Sequence, residues 1–291
     1  MAFIRATALL GAALVLGTAS MVGSAGGAMA ADLGNYDGGS IKDGGYVPTY
    51  SAPHRSFYVR LDGGYSWNTS PDISETMTCG TCVQVFDMVN TSFDDAWTIG
   101  GGVGMNFSDR LRGDLTYDHR FSGDVSGEVV GSGGFGMDGV RDFDLKSDLF
   151  LANLYYDFDL GRRFTPYVGG GIGFVHHQTG AGTVTDPCGC GIATIDSGSN
   201  TEFAAALMAG VSINLWGGQQ QVVGGGMKDV PMYVDSGRKV SLDIGYRYLW
   251  LGDAETGAVV RTVGGVQTAD DPTVEDITAH ELRVGLRYNL N

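Results

Sequence analysis

Eight stretches of about ten residues or slightly more carry an apolar side chain at every second position, and that period of two commits the chain to β-strands with one greasy face. The third is the clearest: Leu111, Leu115, Tyr117, His119 and Phe121 stand against Arg112, Asp114, Thr116, Asp118 and Arg120. The first sets Phe57, Val59, Leu61, Tyr65 and Trp67 against Tyr58, Arg60, Asp62, Gly64 and Ser66; the last sets Leu282, Val284, Leu286, Tyr288 and Leu290 against Glu281, Arg283, Gly285, Arg287 and Asn289. The remaining segments begin near Trp97, Leu149, Phe164, Glu202 and Val240. The fourth is blurred, because Leu149, Leu151 and Tyr155 fall on the face that elsewhere is polar. About 9–11 residues is the length a tilted strand needs to cross a bilayer, and the even count lets the sheet close.

A soluble β-sandwich also alternates, so the occupants of the two faces must decide. The polar face carries Arg60, Arg112, Arg120, Arg247, Arg283 and Arg287 beside Asp62, Asp114, Asp118, Asp157, Glu202, Asp243 and Glu281, six cations to seven anions, while the apolar face is nearly free of charge. Charges on a wet surface need no such balance, but charges sealed inside a narrow tube must pair. Trp67, Trp97, Trp216 and Trp250 all lie at or beside segment ends, as in the aromatic girdles at the two membrane interfaces. The 48 glycines, about twice the ordinary ~7% share, also gather on the polar face, where a small barrel leaves little room. The expected fold is therefore all-β: an eight-stranded antiparallel up-and-down transmembrane β-barrel.

The ends and spacers set its orientation. Met1–Ala30, with Arg5, an apolar run over Ala6–Gly17 and Ala28-Met29-Ala30, reads as a signal peptide, and residues 31–55 as an unstructured periplasmic tail before a barrel over 56–291. Spacers after segments two and four are short, whereas those spanning about 69–95, 122–147, 178–200 and 252–276 are long and should face outward as mobile acidic loops. The spacer from Gly217 to Ser236 should be a tight periplasmic turn but is long; its apolar fragments Val222-Val223 and Met232-Tyr233-Val234 predict a long turn or small hairpin rather than two more spanning strands. The net charge of −15, which becomes −16 once Arg5 leaves with the leader, repels phosphate backbones and excludes nucleic acid as a partner.

The start Ala30-Ala31-Asp32-Leu33, the opening strand Tyr58-Val59-Arg60-Leu61-Asp62-Gly63-Gly64-Tyr65-Ser66-Trp67, Tyr167-Val168-Gly169-Gly170-Gly171-Ile172-Gly173, Asp243-Ile244-Gly245-Tyr246-Arg247-Tyr248 and the close His280-Glu281-Leu282-Arg283-Val284-Gly285-Leu286-Arg287-Tyr288 resemble the eight-stranded, OmpA-like outer-membrane barrels of alphaproteobacteria. That resemblance implies the outer membrane as location, lipid, lipopolysaccharide and the assembly machinery as partners, and a monomer. Such barrels usually end on an aromatic residue, whereas this chain ends Tyr288-Asn289-Leu290-Asn291.

Among chemistry-bearing residues, Cys79, Cys82, Cys188 and Cys190 fall in the first and third outer spacers and are disulfide candidates with three connectivities open; a zinc site would need the two loops to meet. His119, His176 and His280 point outward near the outer interface on strands three, five and eight. Some eight-stranded barrels modify lipid A at this depth with a His-x-Ser pair, but the residues two places on are Phe121, Gln178 and Leu282, so an enzyme is not expected. Gly131–Gly136 fits G-x-G-x-x-G without a following helix and is read as chance. Asp270, Asp271, Glu275 and Asp276 form an acidic loop able to bridge to lipopolysaccharide through a divalent cation. No cofactor is expected. The leading role is structural and surface-interacting, with a narrow channel for small solutes as the alternative.

Overall fold

A computed structural model describes residues 56–79, 82–130, 138–158, 163–186, 191–217, 220–223, 232–235, 239–261 and 272–290. Eight long strands form the wall: β1 Ser56–Asn68, β2 Ala96–Asn106, β3 Leu111–Val129, β4 Gly139–Asp157, β5 Phe164–Thr179, β6 Gly198–Gly217, β7 Lys239–Trp250 and β8 Thr278–Asn289. Each pairs antiparallel with the next, and β8 pairs back onto β1 from Asn68↔Ala279 to Tyr58↔Asn289, so the sheet closes and leaves no open edge among these strands. The leader and tail segments 1–30 and 31–55 lie outside the described residues.

The pleat sorts the side chains as the alternation requires. Leu115, Val284 and Leu282 point outward, the first 63% and the second 53% exposed, while their neighbours Asp114, Arg283 and Glu281 are buried inside. Exposed large apolar residues follow this outward face on all eight strands, the pattern of a wall whose solvent is hydrocarbon. Trp67, Trp97 and Trp250 end up at the outer rim and Trp216 at the inner one, all pointing away from the lumen.

Short connections face the periplasm. Between β2 and β3, Ser108 Oγ accepts from the amides of Arg110 and Leu111, a local turn that needs no longer loop. The 217–236 spacer contains a two-stranded hairpin, Gln220–Val223 against Met232–Asp235, while β6 and β7 pair directly with each other from Ala205↔Trp250 to Gly217↔Lys239. The barrel thus keeps eight strands.

The outer spacers are not the mobile loops expected. β3 and β4 run on to Val129 and Gly139 as a paired extension, with a register shift between Arg120 and Gly123, and the third spacer folds into Gly182–Thr185 and Gly191–Ile195. Segments of the first and fourth spacers, Asp72–Cys79, Cys82–Asp87, Ala254–Glu255 and Thr273–Glu275, build a separate four-stranded sheet. The physical reason is an apolar core that the spacers themselves supply: Ile73, Met88, Val125, Phe143, Val184 and Val274 are all buried in one cluster. In Gly139–Lys146 the period of two continues, with Phe143 and Leu145 inward and Asp142, Asp144 and Lys146 outward.

Val284→Arg tests the facing. Placing that charge in lipid is expected to cost about 2–4 kcal/mol, against little at an aqueous position; the readout is the urea midpoint of the refolded barrel, followed by boiled-versus-unboiled gel mobility.

Candidate functional site

The lumen has two tiers. The inner tier is a charge network that starts at Asp114, whose Oδ2 accepts from Arg60 Nη1 at 2.9 Å; Arg60 also holds Asp62 through Nε and Nη2, each at 2.7 Å. From Asp62 the network passes to Arg283 (3.4 Å), from Arg283 to Asp118 (2.7 Å), from Asp118 to Arg247 (2.7 Å) and from Arg247 to Glu281 (2.9 Å), ending at Arg120 (3.6 Å). These groups come from four of the eight strands, β1, β3, β7 and β8, and every guanidinium and carboxylate among them has an opposite charge in reach. Buried ions left single would each cost several kcal/mol, so the tier stands or falls as a unit.

Nearer the periplasm, Arg287 pairs with Asp243 (3.3 Å), which also accepts from Ser212 Oγ (2.6 Å), and Arg112 pairs with Asp157 (3.1 Å). The two Nη atoms of Arg112 make no hydrogen bond; its guanidinium carbon instead lies 4.1 Å from the Tyr155 ring centroid and 4.8 Å from that of Tyr167. The π-faces of these rings hold the cation where acceptors are missing. Glycine makes the space: a Cβ on Gly100 or Gly285 would overlap the carboxylates of Asp118 and Asp62 respectively.

Of the thirteen expected lumen charges, twelve enter these pairings. Glu202 does not: it sits half-buried at the outer end of β6, where Asn200 Nδ2 donates to its Oε1 at 3.4 Å. At its height the wall has changed character, because the upper tier of the lumen is apolar: Leu149, Leu151, Val175, Leu249, Leu251 and Ala279 are all buried there. The side chains that blurred the fourth segment are the ones that seal this tier. His177 sits among them, with Ser147 Oγ 2.8 Å from Nδ1 and the Leu251 carbonyl 2.9 Å from Nε2. Above lies a buried ion pair that joins two distant spacers, Arg141 with Glu75 at 2.7 Å; Arg141 also donates to the Gly139 carbonyl at 2.8 Å.

The backbone ladder sets Cys79 directly opposite Cys82, whereas Cys188, Cys190, His54, the 131–136 glycine motif, Asp270 and Asp271 lie outside the described residues. Glu275 accepts from Ser74 Oγ at 2.7 Å and so serves the fold of the outer sheet, while Asp276 contributes its backbone amide, which donates to Asp253 Oδ1 at 2.8 Å. Among the described residues no group of three or more His, Cys, Asp or Glu is placed to hold a metal.

On the outward face the histidines separate into two settings. His280 bonds Tyr246 Oη on the wall that carries Trp67, Trp97 and Trp250. His119 and His176 lie on the other wall, where His119 Nδ1 and Tyr117 Oη both reach Asp148 Oδ1 at 2.7 Å and His176 Nδ1 lies 2.9 Å from Thr201 Oγ1. Farther out, a hydrogen bond from the protonated Asp144 carboxyl to Asp124, with a smaller contribution from burial, lifts this exposed group above the usual carboxylate range.

A closed eight-stranded wall, greasy outside and ion-paired within, is the geometry of one kind of protein, and the comparison with known families agrees: the outer membrane protein beta-barrel domain matches residues 8–289. The chain belongs to that family. It is an outer-membrane barrel. An uncharacterized protein of Brucella suis biovar 1 is 26% identical over 308 residues, covering 96% of this chain and 98% of that one. An uncharacterized protein of Brucella melitensis biotype 1 is likewise 26% identical, over 311 residues, with the same two coverages. Among solved structures the barrel is similar to the outer membrane protein OprG from Pseudomonas aeruginosa, at 15% identity, 81% of this chain, 97% of that chain and a TM-score of 0.49. It is also similar to Neisserial surface protein A, at 18% identity, 80% of this chain, 96% of that chain and a TM-score of 0.37.

Asp118→Asn removes one carboxylate from between Arg247 and Arg283. The expected loss is about 3–5 kcal/mol, because two buried guanidinium groups each lose one of the counter-charges that hold them. Glu202→Gln, outside the network, should shift the same urea midpoint by no more than about 0.5 kcal/mol.

Proposed function

We propose that this outer-membrane barrel is a closed structural protein that stiffens the outer membrane and presents a folded acidic cap for surface contacts. One observation carries the reading: the void left among Arg60, Asp62, Asp243 and Arg247 is about 10 Å³, the space of a single water. A solute path would have to displace the ion pairs on either side of that void, each of them desolvated and held by an opposite charge. It would then meet Leu149, Leu151, Leu249 and Leu251, which offer a hydrated solute no hydrogen bonds.

The cap supports the second half of the reading. Asp72, Asp87, Asp94, Asp95, Asp142 and Asp276 are exposed on it, held by a core of their own rather than by free loops. A preformed acidic surface binds a partner without first ordering a loop, and repels anionic ones. Outer-leaflet lipid and lipopolysaccharide are the immediate surroundings in this reading, the assembly machinery acts at insertion, and the barrel works as a monomer without catalytic chemistry.

Purified protein in planar bilayers is expected to leave the membrane at baseline conductance. Steady, reproducible conductance steps that scale with protein added would overturn the structural role in favour of a narrow channel.

A further inference from the structure

The segment that leads from β7 into the outer sheet is stapled to the ends of β5 and β6 through alternate carbonyls. His177 Nε2 lies 2.9 Å from the Leu251 oxygen, Asn200 Nδ2 donates to that of Asp253 at 2.8 Å, and Thr179 Oγ1 donates to that of Glu255 at 3.2 Å. Ala254–Glu255 then pairs with Thr273–Glu275, which pairs in turn with Asp72–Cys79. Three side chains thus fasten one edge of the outer sheet to the barrel, and only one of them ionises.

His177 is fully buried, and its ring also reaches β4, where Ser147 Oγ stands 2.8 Å from Nδ1. A carbonyl can only accept, so Nε2 carries the ring hydrogen and Nδ1 accepts from the Ser147 hydroxyl; the site is built for the neutral imidazole. The charges around it offer a second ring proton little support. Arg120 on β3 and the adjacent His176 oppose it, and only Asp253, past β7, favours it. Asp148, next to Ser147, is turned outward to His119 and Tyr117. On β6 the register partner is the uncharged Asn200, which also bonds Glu202, and on β8 Glu281 is held by Arg247. Among the described residues no carboxylate bonds the ring, so an imidazolium here would be a cation in an apolar tier without a counter-charge in contact.

We infer that His177 is an acid-released latch: as the neutral ring it ties β4 and the 251–256 segment together over the lumen, and as imidazolium it leaves the apolar tier and loosens that edge of the outer sheet. The proton comes from outside water and settles on Nδ1, where it takes the place of the Ser147 hydroxyl hydrogen; only hydrogen bonds change. The site holds the neutral form, so the latch is complete at neutral pH and is lost as the pH falls. Asn200 and Thr179 do not ionise and keep their carbonyls in both states, which leaves the segment tethered and the change reversible. This extends the cap half of the proposed function, making the mobility of the acidic cap depend on the pH outside, and leaves the ion-paired tier below as it is.

The test is hydrogen–deuterium exchange of the mature barrel in phospholipid nanodiscs, read by mass spectrometry as protection at about pH 7 and about pH 4, each corrected for its intrinsic exchange rate. Protection of peptides covering 250–256 and 145–149 should fall at least about tenfold in acid, while that of 58–63 in the ion-paired tier should hold. His177→Gln, which cannot take up the proton, should show the same protection at both pH values. Ser147→Asp sets a carboxylate against Nδ1 and should keep the segment protected in acid, whereas His176→Gln, on the outward face, should respond like the wild type. Equal wild-type protection at the two pH values overturns the latch, as does an acid loss that survives His177→Gln or persists in Ser147→Asp. Bilayer conductance at neutral pH reports on the closed-barrel reading separately, since steps there would count against the sealed lumen and not against the latch.

Discussion

Everything in this barrel depends on charges that have no access to bulk water. Hydrocarbon surrounds the wall, so the guanidinium and carboxylate groups that line the lumen have only one another. The chain from Asp114 through Arg60, Asp62, Arg283, Asp118, Arg247 and Glu281 to Arg120 joins residues of β1, β3, β7 and β8 across the lumen. That connection specifies register. Slipping any one of these four strands by a single residue would turn its arginines into lipid and its leucines into the ion network, a double penalty that no local rearrangement relieves.

Space follows from charge. An eight-stranded tube is just wide enough for its own side chains, and arginine is among the longest. Several inward residues are therefore matched by a glycine on a neighbouring strand. Gly100 lies against Asp118, Gly285 against Asp62, and Gly104 against the Tyr58 ring. The glycine excess is thus the complement of the arginine network rather than a sign of flexible chain.

Strand number, order and facing were legible because each rests on alternation, the most local of signals. Twelve of the thirteen lumen charges followed from parity alone. What stayed hidden depended on height along the barrel, which parity does not encode. Glu202 shares the facing of its neighbours but sits where the wall has become apolar, and Leu149 and Leu151 looked like noise although they form that apolar tier. The outer spacers misled for another reason. Strands β3 and β4 continue through them with the same period, but turn residues such as Gly123 and Gly139 interrupt the reading, and the partners Glu75 and Arg141 are 66 residues apart. A long-range buried pair leaves no trace in either local segment.

The two tiers also divide the folding problem. In the inner tier, pairing is electrostatic and its groups must arrive together, since an incomplete network is worse than none. In the upper tier and cap, burial of Leu145, Val175, Ile195 and Ile277 is additive and non-directional, so each strand that arrives gains on its own. Outside, the wall is uneven in a way that neither tier requires. Trp67, Trp97 and Trp250 stand on β1, β2 and β7, while the outer ends of β4, β5 and β6 carry Asp148, His176 and Thr201 instead.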